Sequence, residues 1–221
     1  MKITCLGILT DLLIRSLFRC NMSISMKKAI ELADTVLAYL SGLENVAHTP
    51  FLTHWPSKPF RTRAVTPRSL PVVACLPKVA AATDKQTAAV IKTLVAAAKH
   101  LFWGQTYTQA DFGRDFLQNY GWTELIGLRG PIANSVIACG FLLLGPDTLY
   151  PLHSHAAEEI YVPLSAPTFW TQSQDDWVAR PRGEPIYHRS GLAHGMRTES
   201  TPLLALYLWR GGDLAQKSHI E

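Results

Sequence analysis

After Gly121 the chain is cut into short apolar runs, and a fold built from long helices does not fit that texture. "WTELIGL", "NSVIACGFLLL", "EEIYVPL", "PTFWTQ", "DDWVAR", "EPIYHR" and "PLLALYLWR" are β-branched or aromatic, and Gly, Pro, Asp and Ser divide them at close intervals. Runs of this length and spacing predict an antiparallel sandwich or barrel. Upstream the periodicity is helical. Between Ser25 and Leu43, Ile30, Leu32, Ala33, Val36, Leu37 and Leu40 recur at helical spacing, and Gly42 offers a stop. Six prolines (50, 56, 59, 67, 71 and 77) then rule out a long helix and predict an extended arm over the surface. A second helix is expected in "KQTAAVIKTLVAAAKHLF", with Asp84 to cap it and Gly104 to end it, and a short third one in "ADFGRDFLQNYG". The chain reads as mainly β with N-terminal helices: residues 1–120 form a helical region with a Pro-rich arm, and 121–221 a compact β domain.

Composition excludes several classes. With 48% hydrophobic and 17% charged residues the chain can bury a real core and is not disordered. The net charge of +4 is mild, and apart from Arg61, Arg63 and Arg68 the basic residues are scattered, so no nucleic-acid stripe emerges. Cys5, Cys20, Cys75 and Cys139 form no CxxC pair and read as reduced thiols of a cytoplasmic protein. "MKITCLGILTDLLIRSLF" is interrupted by Asp11 and Arg15 and reads as an amphipathic helix, neither signal peptide nor membrane span. Met22 and Met26 are alternative starts.

The chemistry is concentrated in "YPLHSHAAEEIYVPL", Tyr150 to Leu164. Burying unpartnered polar groups is costly, so this segment is either a solvated loop or a built site. His153 and His155 are two apart and share one side of a strand. If the chain turns at "AAE" and resumes as a strand, Glu159 and Tyr161 also share one side, and all four converge while Glu158 faces away. His194, in "SGLAHGMRT" between Gly191 and Gly195, supplies a third histidine on a tight turn. Imidazole and carboxylate suit a divalent transition metal such as Zn, Fe, Mn, Ni or Co. Two or three histidines with one carboxylate leave room for water or substrate. His48, His54, His100, His188 and His219 lack such a context and read as structural or solvent-facing.

"HSHAAEE" with the later "AHGMR" resembles the two metal motifs of the cupin superfamily, whose fold is an antiparallel β-barrel, or double-stranded β-helix. The glycine that usually precedes the first motif closely is Gly145 here, slightly farther away. "LGPDTLYPLHSHAAEEIYVPL", "HGM" and "LYLWRGG" resemble more narrowly the cupin-type dimethylsulfoniopropionate (DMSP) lyases of marine bacteria, most strongly over residues 140–212. The resemblance implies His155, Glu159 and His194 as metal ligands and Tyr161 as the base. It implies Tyr150 and His153 as substrate contacts or, for His153, a further ligand; Tyr150 and Tyr161 remain alternative bases. Trp209 matches the tryptophan lining the pocket.

The implied reaction is a β-elimination giving dimethyl sulfide and acrylate. Its difficult step is loss of a weakly acidic proton beside a carboxylate, which a Lewis acid on that carboxylate assists. A free tyrosine titrates near 10, and a neighbouring dication should lower it. The sulfonium needs no anion if aromatic faces hold it; Tyr150 and Trp209 are the candidates, while Tyr207, Trp170 and Phe169 read as core. The alternatives are another metal-dependent cupin enzyme acting on a small carboxylate, such as a dioxygenase or isomerase, and a non-enzymatic sensor. The expected partner is the small-molecule substrate, with no nucleic acid and no membrane span, and the Pro-rich arm leaves a homodimer open.

Overall fold

The computed structural model describes residues 24–165, 167–173 and 175–221. The amphipathic segment before Met22, with Cys5 and Cys20, lies outside them. Cys75 and Cys139 carry free thiols. No described helix is long and apolar enough to cross a membrane.

Helix α1 spans 24–41 and ends in a turn at Gly42, as the sequence predicts. The Pro-rich stretch is more structured than an extended arm. Pro50 lies at the start of a short helix α2 (Thr49–Leu52), and Pro77 at the start of α3 (Leu76–Ala81). Proline suits a helix's first turn, where its missing N–H would have no partner anyway. Asp84 caps a turn by accepting from the Thr87 N–H at 2.9 Å, and α4 follows as Ala88–Ala97. Gly104 does not end that helix. It belongs to strand β1 (Trp103–Gly104), where a side chain would meet the Trp122 ring at 2.9 Å. The third helix, α5 (Gln109–Gln118), opens on a Thr108–Asp111 capping box and is broken at Gly113, whose φ is 78°.

Eleven strands follow: β2 (Tyr120–Gly127), β3 (Ile132–Ala133), β4 (Ile137–Leu144), β5 (Leu149–Ser154), β6 (Glu158–Pro163), β7 (Thr168–Gln172), β8 (Val178–Arg180), β9 (Ile186–His188), β10 (His194–Arg197), β11 (Leu203–Arg210) and β12 (His219–Ile220). They form two sheets of a cupin-type antiparallel β-fold. The larger runs β1-β2-β4-β11-β6-β9, with β3 beside β2; the smaller runs β12-β5-β10-β7-β8. Every pairing is antiparallel except β2 with β3.

The larger sheet is covered on both faces, which is why β4 is buried along its whole length. Strand alternation divides β11 cleanly. Leu204, Leu206 and Leu208 join Phe141, Ile160 and Val162 in a core that includes Leu32, Val36 and Leu94 of the helices. Leu203, Ala205 and Tyr207 face the other way, into a second cluster with Tyr161, Tyr150, Trp170 and Met196. The helices therefore brace one face while the opposite face is left to build a site. Gly140 sits centrally in this sheet. A Cβ there would overlap the Thr123 carbonyl oxygen and stand 2.7 Å from Tyr207 Oη. Gly140→Ala should therefore lower stability by about 3 kcal/mol, the upper part of the usual overpacking range, seen as a lower denaturation midpoint at unchanged m-value.

Candidate metal centre and cavity

Both sheets contribute to the site. The smaller one supplies Tyr150, His153 and His194. Tyr150 and His153 are three apart, so a regular strand would aim them oppositely. A register shift in the β5–β10 ladder, where His194 pairs with His153 but Met196 with Tyr150, lets both be buried. The larger sheet supplies Glu159 and Tyr161 from β6 and Tyr207 and Trp209 from β11, and Trp209 pairs with Glu159 across the ladder. His155 stands in the turn between β5 and β6.

His155, Glu159 and His194 are buried and offer ligand atoms that lie within 4.8 Å of one another. Glu159 Oε2 is 2.9 Å from His155 Nε2 and 3.1 Å from His194 Nε2, while Glu159 Oε1 accepts from Trp209 Nε1 at 2.6 Å. His153 lies outside that group of three. Its ring is 4.3 Å from that of His194 and stacks on Tyr150 at 4.0 Å and 6°.

The second partners of the imidazoles decide what the group can hold. Nδ1 of His153, His155 and His194 lies 2.9, 2.9 and 2.8 Å from the carbonyl oxygens of Pro151, Ala157 and Leu192. A carbonyl only accepts, so each Nδ1 carries the proton and each neutral ring presents a lone pair at Nε2. At His155 and His194 that lone pair faces a carboxylate oxygen. Two lone pairs at such a distance repel unless a proton or cation lies between them. His194 Nε2 has no hydrogen-bond partner among the described residues despite its closeness to Glu159. These donors fit one divalent metal ion. Without one, burial pushes Glu159 up, but His155 and His194 hold it well below the usual carboxylate range. Burial depresses His155, yet the Glu159 charge beside it leaves it raised. His153 is pushed well down by burial. Tyr161 is driven well above 10 by burial and then by the Glu159 charge.

Next to this group lies a cavity of about 300 Å³, at the small end of the range for ligand pockets. Tyr150, His153, Glu159, Tyr161 and Trp209 all line it. Trp170 and Phe169 do not: Trp170 is buried and bonded to Thr168, and Phe169 lies under the Arg197 guanidinium. Tyr207, expected to be core, is part of the cavity wall. Residues Leu214–Ser218 close another side, and β12 returns to pair with β5 at His153.

Three contributors escape the sequence reading. Glu124 on β2 is a buried carboxylate in the cavity wall. Its signal was an acidic residue inside the apolar run "WTELIGL". Tyr107, from the segment before α5, meets Tyr150 hydroxyl to hydroxyl at 3.0 Å, and no local pattern announces it. His188, expected to be structural or solvent-facing, is buried with its ring stacked on His194 at 4.0 Å. Strand alternation with Ile186 in "EPIYHR" could have aimed it inward. Its tautomer is the reverse of the other three. Gln172 Nε2 donates to the Tyr187 carbonyl and lies 3.1 Å from His188 Nδ1, so that nitrogen accepts and Nε2 keeps the proton.

A family model described as dimethylsulfoniopropionate lyase matches residues 54–205. The dimethylsulfoniopropionate lyase DddQ of Ruegeria pomeroyi is 32% identical over 147 residues, which cover 66% of this chain and 73% of DddQ. The putative lyase DddL of Cereibacter sphaeroides is 32% identical over 124 residues, and the match spans only 51% of its length. Among solved structures, a chain from the crystal structures of the DMSP lyases RdDddP and RnDddQII superposes with a TM-score of 0.77 at 27% identity, covering 89% of this chain and 99% of that one. The R. pomeroyi DddQ crystal structure gives 0.72 at 28% identity, with 86% and 95% covered. With the family match running over most of the chain, and across both β5 and β10, this protein belongs to the dimethylsulfoniopropionate lyase family.

Proposed function

We propose that the protein cleaves dimethylsulfoniopropionate to dimethyl sulfide and acrylate by β-elimination, with a divalent metal held by His155, Glu159 and His194 and with Tyr161 as the base. The observation that carries this reading is the placement of Tyr161 and Glu159 in one cavity wall, beside two imidazoles whose Nε2 lone pairs face the same carboxylate oxygen. When bound, the metal supplies Lewis acidity to a substrate carboxylate and positive charge next to Tyr161.

That charge matters because of the environment of Tyr161. Burial and Glu159 both oppose its ionisation, so in the bare protein the phenol is a poor base. Neutralising Glu159 removes one of these obstacles. With its own proton first lost to solvent, the Tyr161 phenolate would accept the α-proton and return to the phenol. The C–H electron pair becomes the new C=C bond, and the C–S pair leaves with sulfur as the neutral thioether. Tyr150 and His153, stacked face to face, wall the substrate on the other side, and Tyr107 holds the Tyr150 hydroxyl. Trp209, pinned by its indole N–H on Glu159, offers its ring to the sulfonium. The buried walls keep water from the carbanion-like charge.

The test is headspace gas chromatography on metal-reconstituted protein given DMSP. Chelator-sensitive release of dimethyl sulfide, with acrylate in equal amount, is expected. No sulfide with any of Zn, Fe, Mn, Ni or Co would overturn the substrate assignment, and oxygen uptake would then be measured for the dioxygenase alternative.

A further inference from the structure

Resting on that reading of the cavity, we propose that Glu124 is a specificity-determining residue: its carboxylate receives the cationic end of an onium carboxylate whose other end lies at Glu159 and Tyr161. Glu124, Gly140, Tyr207 and Tyr161 are successive partners across β2, β4, β11 and β6. Three interstrand steps separate the first from the last, about 14 Å at the backbone. The side chains at the two ends shorten this span. Gly140 adds no side chain between them, and Tyr207 Oη occupies the space above it. Glu124, Glu159 and Tyr161 line this one cavity, whose chemistry matches a small molecule with charge at both ends.

Glu124 has a structural duty, but that duty does not use its charge. Oε1 accepts from the backbone N–H groups of Arg129 and Gly130, the latter at 2.8 Å, and so fixes the turn after β2. An uncharged amide oxygen would accept both. Oε2 has no hydrogen-bond partner among the described residues, in a side chain that lines the cavity. The nearby cations act on Glu124 at a distance, and one of them, Arg129, lines the same cavity. Arg63 donates to the carbonyls of Gly127 and Leu128, and Arg129 rests over the Trp122 ring at 5.5 Å. Neither forms an ion pair with Glu124 among the described residues. Arg129 and Arg63 favour its charge only at a distance, without an ion pair, and a cation bound against the free oxygen would offset more of the cost of burying it. Tyr207 and Trp209 line the same cavity, and aromatic faces near an anion are the kind of surface that holds sulfonium and quaternary ammonium groups.

Glu124→Gln keeps the acceptor for the turn and removes the charge. In the metal-loaded full chain it should raise KM for DMSP about tenfold and leave kcat within about twofold. Inhibition by 4-methylpentanoate, the isostere with carbon in place of the cationic sulfur, should not weaken. A KM within about twofold of the parent, or equal loss for both ligands, would overturn the proposal. A second measurement needs no variant. In calorimetry the parent protein should bind 3-(trimethylammonio)propanoate about tenfold more tightly than 4-methylpentanoate, and equal affinities would overturn the role of Glu124. That comparison holds even if DMSP yields no sulfide, so failure of the proposed reaction and failure of this inference are separately visible.

Discussion

Tyr161→Phe should keep the bound metal, the melting temperature and substrate affinity of the parent, and lose about a thousandfold in kcat, the middle of the range for removing a general base. The phenol is buried, and its ring packs on Trp170 at 5.1 Å and beside His188. Phenylalanine preserves those contacts and deletes only the oxygen. The variant therefore separates chemistry from packing more cleanly than alanine, which would also leave a cavity. Equal falls in kcat and kcat/KM mark an interaction made only in the transition state. A Tyr161→Phe enzyme with more than about a tenth of parental kcat would shift the base role, and Tyr150 is the first alternative because it lines the same cavity.

Chelation should abolish turnover in the parent and lower its melting temperature by about 10 °C. Metal at a thousandfold over its dissociation constant adds about 4 kcal/mol by linkage, and in a chain of this size each kcal/mol moves the midpoint by about 2–4 °C. The bare site also retains its internal conflict, with two imidazoles and one carboxylate converging in a buried space. His194→Ala should show neither response. It should bind no stoichiometric metal by elemental analysis, turn over no substrate, and melt at the same temperature with or without chelator. Full metal occupancy in this variant would contradict the ligand set. His153→Ala is the useful companion, because His153 lies outside the group of three yet lines the cavity; retained metal with a raised KM would make it a substrate contact.

The elements legible in the sequence were those written in local patterns. Short β-branched and aromatic runs divided by turn residues gave the strands, 3.6-residue spacing gave α1, and HxHxxxE with a later glycine-flanked His pointed to His153, His155, Glu159 and His194, of which the last three come together. What stayed hidden depends on pairing between distant segments. Gly104 reads as a helix stop because nothing local reveals that β1 pairs with β2. Pro77 reads as a helix breaker because its place in a first turn is set by the chain before it. Tyr107 joins the site only because the segment before α5 folds against β5. His188 reads as structural or solvent-facing because its partners, Gln172 on β7 and His194 on β10, belong to the other sheet.

The larger sheet has no idle face: along β6 and β11, residues of one parity grip the helices and those of the other form the reactive wall. Deleting or inserting one residue in either strand would exchange the two sets, sending Ile160 and Leu208 into the cavity while Tyr161 and Trp209 met the helices. Conservative point changes in these strands should thus be far better tolerated than any single-residue indel. A deletion scan should find β6 and β11 closed to length change even at positions that accept several side chains. Stability and chemistry would then be lost together, because one hydrogen-bond register sets both.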